Sequence, residues 1–205
     1  MDESVRLALS KWPNVPHCYG WLALDARGAF RMRDDAAQAA NLPGDVIRHQ
    51  ALLGFIYRNY ACDERGAWYF QNGPQRVYVE LEATPFIART DPALGFVTHD
   101  GAAMGKIGKA FMTDEGRLLL QSDKKIAMLD DRDLAECLPR LTLDGVVCDD
   151  ATLMAWLASS SVSPSSGALA LVIDDMGVDI ERLSSDQLEQ RFGFVAHPSR
   201  LHMAR

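Results

Sequence analysis

Positive charge, cysteine and long apolar runs are all scarce in this sequence, and each shortage closes off a class of function. Of 205 residues, 21 are Lys or Arg against 28 Asp or Glu, leaving a net charge of -7. Duplex affinity rests largely on neutralising phosphates with Lys and Arg, so no nucleic acid partner is expected. No apolar stretch approaches the roughly 18 residues that a spanning helix needs, so no membrane partner is expected either. The first residues, Met1-Asp2-Glu3-Ser4-Val5-Arg6, are acidic where a secretory signal carries a basic region followed by an apolar core. The expected location is therefore cytoplasmic. Only four cysteines occur (Cys18, Cys62, Cys137 and Cys148), with no Cys-x-x-Cys pair, which fits structural thiols in a reduced compartment.

Signatures of catalysis and of cofactors are equally thin. Gly101-Ala102-Ala103-Met104-Gly105-Lys106 ends like a phosphate loop, but its glycines are one residue too close and Ile107 follows where Ser or Thr is required. No Gly-x-Ser-x-Gly elbow anchors a serine nucleophile. Asp174, Asp175 and Asp179 lack the alternate spacing and closing Glu of a calcium loop, and read as turn formers. His17, Cys18, Cys62, His99 and His197 are soft or borderline metal ligands, yet adjacent His17 and Cys18 point to opposite sides of an extended chain. No metal and no cofactor is expected. A cysteine nucleophile needs a thiolate beside a base in an electropositive pocket, and Cys62, with Arg58 and Arg65 near it in sequence, is the place to look for one.

What the chain does have is sheet. Residues 60–89 run Asp63-Glu64-Arg65-Gly66, Trp68-Tyr69-Phe70, Asn72-Gly73-Pro74, then the alternating Val77-Tyr78-Val79-Glu80-Leu81-Glu82. An Asp-x-x-Gly turn between aromatic and β-branched segments is hairpin chemistry, because Asp bonds its own backbone two residues on and Gly supplies the positive φ. Around this centre an α+β fold is expected: two small sheet-based domains, 1–92 and 93–205, built from repeated hairpin units with packed helices. The turn cluster Thr90 to Gly95 marks the boundary.

In chain order, a short amphipathic start leads to Trp12-Pro13-Asn14-Val15-Pro16-His17-Cys18-Tyr19-Gly20-Trp21, where two prolines forbid a regular helix. A hairpin over Asp25-Ala26-Arg27-Gly28 follows, then a turn or two of helix over Asp34 to Ala40. The longest helix is expected from Asp45, its N-cap, to Tyr60, lying on the sheet that follows. Gly54 inside it suggests close approach by another backbone. Beyond residue 95, strands are expected at Gly95–His99, Ile107–Met112 and Leu118–Gln121, and a helix over Asp130–Leu138 that stops at Pro139. A hairpin over Asp144-Gly145 and a helix capped by Asp149 come next. A mobile serine-rich loop is expected at 159–167, then a strand at Leu169–Ile173, a helix opened by a capping box at Ser184, a last strand at Phe194–Ala196 and a frayed tail after Pro198. Asp63 to Leu81 and Asp114 to Leu129 read as two copies of one hairpin unit, roughly fifty residues apart. Gly95-Phe96-Val97-Thr98-His99 also echoes Gly193-Phe194-Val195-Ala196-His197, as equivalent or paired strands.

The first hundred residues resemble two related bacterial families of domains of unknown function, one of them proteobacterial. The resemblance rests on Asp25, Gly28, Asp63, Gly66, Tyr69, Phe70, Val79, Glu82, Pro85 and Phe86, in that order. It implies a two-domain α+β fold with repeated motifs and a suggested role in ligand sensing or signal transduction. The relatives carry Pro-x-Glu at the start of the alternating strand, where this chain has Pro74-Gln75-Arg76.

The residues left over are aromatic and basic. Trp12, His17, Tyr19, Arg58, Tyr69 and Arg76, together with Trp21, Trp68 and Tyr78, would form an apolar groove with guanidinium donors if the proline-bounded loop folds over the central sheet. Such a groove suits an anionic or planar small molecule. The leading expectation is a non-enzymatic binding or sensor protein, with its site in the cleft between the domains. Second comes an adaptor for a protein partner, using an exposed strand edge or the Trp12–Trp21 loop. An enzyme built around Cys62 or His17 comes third.

Overall fold

The computed structural model describes residues 1–123, 125–159 and 167–199. The expected loop at 159–167 and the tail after residue 199 fall largely outside the described residues. The fold class is α+β, and the chain divides into two units: Met1–Pro85 with the described residues from Glu189 onwards, and Phe86–Leu188.

The first unit opens with α1 (Glu3–Lys11) and continues through β1 (Cys18–Leu24), β2 (Phe30–Met32), α2 (Asp35–Ala39), β3 (Asp45–Val46), α3 (Gln50–Arg58), β4 (Tyr60–Cys62), β5 (Trp68–Asn72) and β6 (Gln75–Leu81). Its sheet has the order β3-β2-β1-β6-β5-β4, in which β1 and β6 run parallel and the other neighbours antiparallel. Leu22, Leu24, Phe30, Ile56, Val79 and Leu81 make its core. α3 lies on this sheet, as its apolar face requires, with Phe55 meeting Phe70 edge-on at 5.3 Å.

The helix is shorter than its periodicity predicts. Gly44, at φ +78, turns the chain so that Asp45 and Val46 pair with Met32 and Arg31, and His49, not Asp45, caps α3 by accepting the amide of Leu52. Nor does a backbone press on Gly54. The nearest group to a Cβ placed there is the Arg58 guanidinium, at 3.3 Å.

The second unit contains β7 (Phe86–Asp91), β8 (Gly95–Thr98), β9 (Ile107–Thr113), β10 (Leu118–Ser122), β11 (Ile126–Leu129), α4 (Leu134–Cys137), β12 (Leu141–Leu143), β13 (Val146–Val147), α5 (Asp150–Ala158), β14 (Leu169–Ile173) and β15 (Met176–Leu183). Among the described residues its sheet has the order β13-β12-β14-β15-β9-β10-β11-β7-β8. Phe111, Leu119, Leu120, Ile87, Leu141 and Leu171 are buried in it. The α-helix is shorter than expected and ends ahead of Pro139, with 3-10 turns at Asp131–Asp133 and Leu138–Arg140 flanking α4. Residues Phe86 to Asp91, placed by the sequence before the boundary at 92, form β7 and pair with β11 and β8, so they stand in the second unit. α6 (Leu188–Phe192) ends the regular structure. From Glu189 the chain belongs to the first unit. Val195 bonds Gly66, and the Leu81 amide donates to the Ala196 carbonyl.

One pairing scheme recurs. In the first sheet the hairpin β1-β2 is joined, through a parallel contact, to the last strand of the meander β4-β5-β6. In the second, β7-β8 is joined in the same way to the last strand of β9-β10-β11. Ser184 departs from its expected role. Its hydroxyl donates to Asp114 and not to its own helix, leaving the expected capping box unformed. No helix of the described residues is long and apolar enough to cross a membrane.

Candidate functional site

Alternation along β6 sends Arg76, Tyr78 and Glu80 to one face, and antiparallel pairing sets Tyr69 opposite Tyr78. The two rings meet edge-on, 5.7 Å apart. The parallel neighbour β1 supplies a third ring. Between Cys18 and Leu22 it passes only Val77 to Val79 of β6, so the register shifts there. Gly20 sits within that irregular stretch at φ +80, a left-handed position that favours glycine. The result is Tyr19 stacked on Tyr78, with centroids 4.8 Å apart and planes 3° from parallel. The proline-bounded loop is tied to the start of β6, where Gln75 Nε2 donates to the Pro16 carbonyl at 2.9 Å. His17 then meets Tyr78 edge-on at 5.7 Å.

Charge rims these rings. The Arg76 guanidinium lies over the Tyr69 ring at 4.6 Å, a cation–π contact. Burial alone would lower its pKa, but a hydrogen bond with Tyr78 and the neighbouring oxygens outweigh that and raise it, so Arg76 is a fixed cation. Tyr78 is fully buried and its hydroxyl donates to Asp63 Oδ2 at 3.1 Å. Burial pushes the Tyr78 pKa up; the Arg76 hydrogen bond opposes this, and that to Asp63 reinforces it. The other oxygen of Asp63 accepts the amides of Arg65 and Ala67, both at 3.0 Å, and closes the turn between β4 and β5. Arg65 stands 3.6 Å from Oδ2. Desolvation lowers the His17 pKa below 6.5, and the cations Arg76 and Arg65 lower it further against the opposing field of Asp63. His17 is thus a neutral imidazole near pH 7.

Of the six residues singled out from the sequence, His17, Tyr19, Tyr69 and Arg76 gather here, all within the first unit. Trp12 and Arg58 are placed elsewhere. Trp12 follows α1, half exposed, beneath Lys11 at 4.5 Å. Arg58 ends α3 and pairs with Asp2 at 3.1 Å. Asp63 and Tyr78 complete the cluster. Tyr78 was legible as the residue two beyond Arg76 and opposite Tyr69, whereas Asp63 read only as a turn former. Farther along the same face Glu80 accepts His197 at 2.9 Å.

The Cys62 thiol has its pKa raised, by burial and then by Asp63, the reverse of what a nucleophile needs. His99 Nδ1 accepts the Ile87 amide, and among the described residues no group of three His, Cys, Asp or Glu side chains is arranged to hold a metal ion. In the loop Gly101–Lys106 the amides of Gly101, Ala102 and Met104 are bonded to Thr98, Asp100 and Phe96. Two cavities, of about 340 and 1010 Å3, lie in the second unit.

Residues 1–199 match the model of a family described as "Protein of unknown function (DUF2946)". No curated protein matches the chain. Among solved structures, it is similar to the crystal structure of a DUF1285 family protein from Silicibacter pomeroyi DSS-3, at 13% identity and a TM-score of 0.46, over 88% of this chain and 89% of that one.

Proposed function

We propose, for a chain that belongs to this family of proteins of unknown function, a non-enzymatic role: binding a small planar anion at the tyrosine cluster of the first unit, as a sensor in signal transduction. One observation carries the reading. An arginine of raised pKa lies over Tyr69 beside the stacked pair Tyr19 and Tyr78, with the exposed His17 imidazole edge-on to Tyr78. Tyr69 and Tyr78 are buried, so a planar ring would stack on the half-buried Tyr19, and its carboxylate or phosphate is held by the guanidinium. The neutral imidazole adds a hydrogen-bonding group. The four cysteines are free, which suits a reducing compartment. The pairing scheme shared by the two sheets supports duplication of one hairpin unit.

The reading is tested by native mass spectrometry of the purified protein against its denatured mass, followed by fluorescence titration with benzoate, 4-hydroxybenzoate and nucleoside monophosphates. A retained mass or saturable binding is expected, and Arg76→Ala should weaken it by about tenfold or more, since a hydrogen bond to a charged group contributes roughly 1.5–3 kcal/mol. Absence of both retained mass and binding, or unchanged affinity in Arg76→Ala, overturns the proposal.

A second reading has its own observation. Trp12 and Trp21, at the two ends of the proline-bounded loop, are 51% and 40% exposed, and aromatic anchors of this kind suit a protein partner. Pull-down with the protein, lost on Trp12→Ala but kept on Arg76→Ala, would favour the adaptor over the sensor.

A further inference from the structure

The cavity of about 1010 Å3 in the second unit is independent of the tyrosine cluster and combines apolar walls with charges of both signs. Its apolar surface comes from Leu94 and Phe96 on the β7-β8 hairpin, Ile107 at the start of β9, and Ile173, Met176 and Val178 around the β14-β15 turn. Leu94 and Met176 are each 55% exposed, large side chains that nothing covers among the described residues.

Two of the acids in the lining are already committed. Asp91 accepts the amides of Ala93 and Leu94, and Glu136 accepts the Thr90 hydroxyl at 2.7 Å. Arg140, also in the lining, is anchored by Nε to the Val172 carbonyl and lies over Phe96. The side chains of Lys106, at the end of the loop Gly101–Lys106, and of Asp174 have no hydrogen-bond or ion-pair partner among the described residues. Asp174 and Asp175 both hold positive φ, +48 and +62, in the turn between β14 and β15. Asp tolerates that geometry, and of the two only Asp174 lines the cavity.

From this combination we infer that the cavity binds a short apolar peptide with free ends. Its α-carboxylate is held by Lys106 and Arg140, its ammonium by Asp174, and its side chains lie against Leu94, Ile173 and Met176. A zwitterion matches the cations Lys106 and Arg140 together with the acid Asp174, whereas a simple anion would meet Asp174 unfavourably. The volume is at the upper end for small-ligand pockets, roomier than one amino acid needs.

The test is calorimetric titration of the full chain with trileucine, and with the same peptide acetylated at its N-terminus and amidated at its C-terminus. Free trileucine should bind saturably. Lys106→Gln and Asp174→Asn should each weaken binding by about tenfold, the loss expected of one charge-assisted contact, and blocking both ends should weaken it further than either. Neither substitution removes a recorded contact, and Asn tolerates the left-handed turn, so folding is preserved. No saturable binding of the free peptide up to about 10 mM, equal binding of the blocked peptide, or unchanged affinity in both variants overturns the inference.

Discussion

Asp63 closes a turn with one carboxylate oxygen and holds the hydroxyl of a buried tyrosine with the other. A buried hydroxyl left without a partner costs about 1–3 kcal/mol, so the turn and the cluster depend on the same side chain. His17 reports on this neighbourhood. Its pKa is lowered, by burial first and then by Arg76 and Arg65. The NMR titration midpoint of its ring should therefore fall below 6.5, and Arg76→Ala should move it back part of the way. A midpoint at or above 6.5 would mean that the imidazole is not held against the cations. The linkage has a definite sign. Between the lowered native value and 6.5 the unfolded chain binds the proton more readily, so this residue's contribution to stability falls as pH drops through that window.

At the level of elements, the hairpin turns share one chemistry and differ in their surroundings. Asp25 accepts the amides of Arg27 and Ala29, just as Asp63 accepts those of Arg65 and Ala67. In the second unit Thr113 takes this position, its hydroxyl accepting the Arg117 amide, and Asp114 is freed to bind Ser184 and Ser185. The equivalence is therefore one residue off the alignment suggested by Asp114-Glu115-Gly116. Gly66 and Gly116 end equivalent turns at φ +86 and +77. A Cβ on Gly66 would lie 2.2 Å from the Gly193 carbonyl, whereas one on Gly116 meets only Leu157 at 3.7 Å. In urea denaturation, Gly116→Ala should cost about 1–2 kcal/mol, the strain of a left-handed alanine. Gly66→Ala should cost clearly more, because backbone must move as well. Equal losses would show that the 193–195 segment is not packed on the turn.

For the molecule as a whole, buried thiols distinguish local from cooperative opening. Cys137 is fully buried in the second unit and burial pushes its pKa up to about 11, while Cys62 in the first unit is exposed. A thiol reagent under native conditions should label Cys62 and spare Cys137, whose labelling should rise only as denaturant opens the second unit. Comparable native rates at the two thiols would contradict the burial of α4. Both sheets draw their stability from non-local strand pairing, including the parallel contacts β1-β6 and β11-β7.

Turns, strands and the α+β class were legible in the amino-acid order, because Asp-x-x-Gly chemistry and period-two alternation are local and survive out of context. So was much of the site: Tyr69, Tyr78 and Arg76 share a face by alternation and cross-strand pairing alone. The extent of α3 was not, since Asp45 and Val46 have helical periodicity but find better partners in Arg31 and Met32, a tertiary override of a local signal. Neither was the return of residues 193–196 to Gly66 and Leu81, nor the reach of Asp63 to Tyr78 fifteen residues away. Arg58 and Trp12 mark the same limit from the other side. Residue type nominated them, but helix α3 and the end of α1 carry them to Asp2 and Lys11, because where a side chain arrives depends on how the elements pack and not on its chemistry.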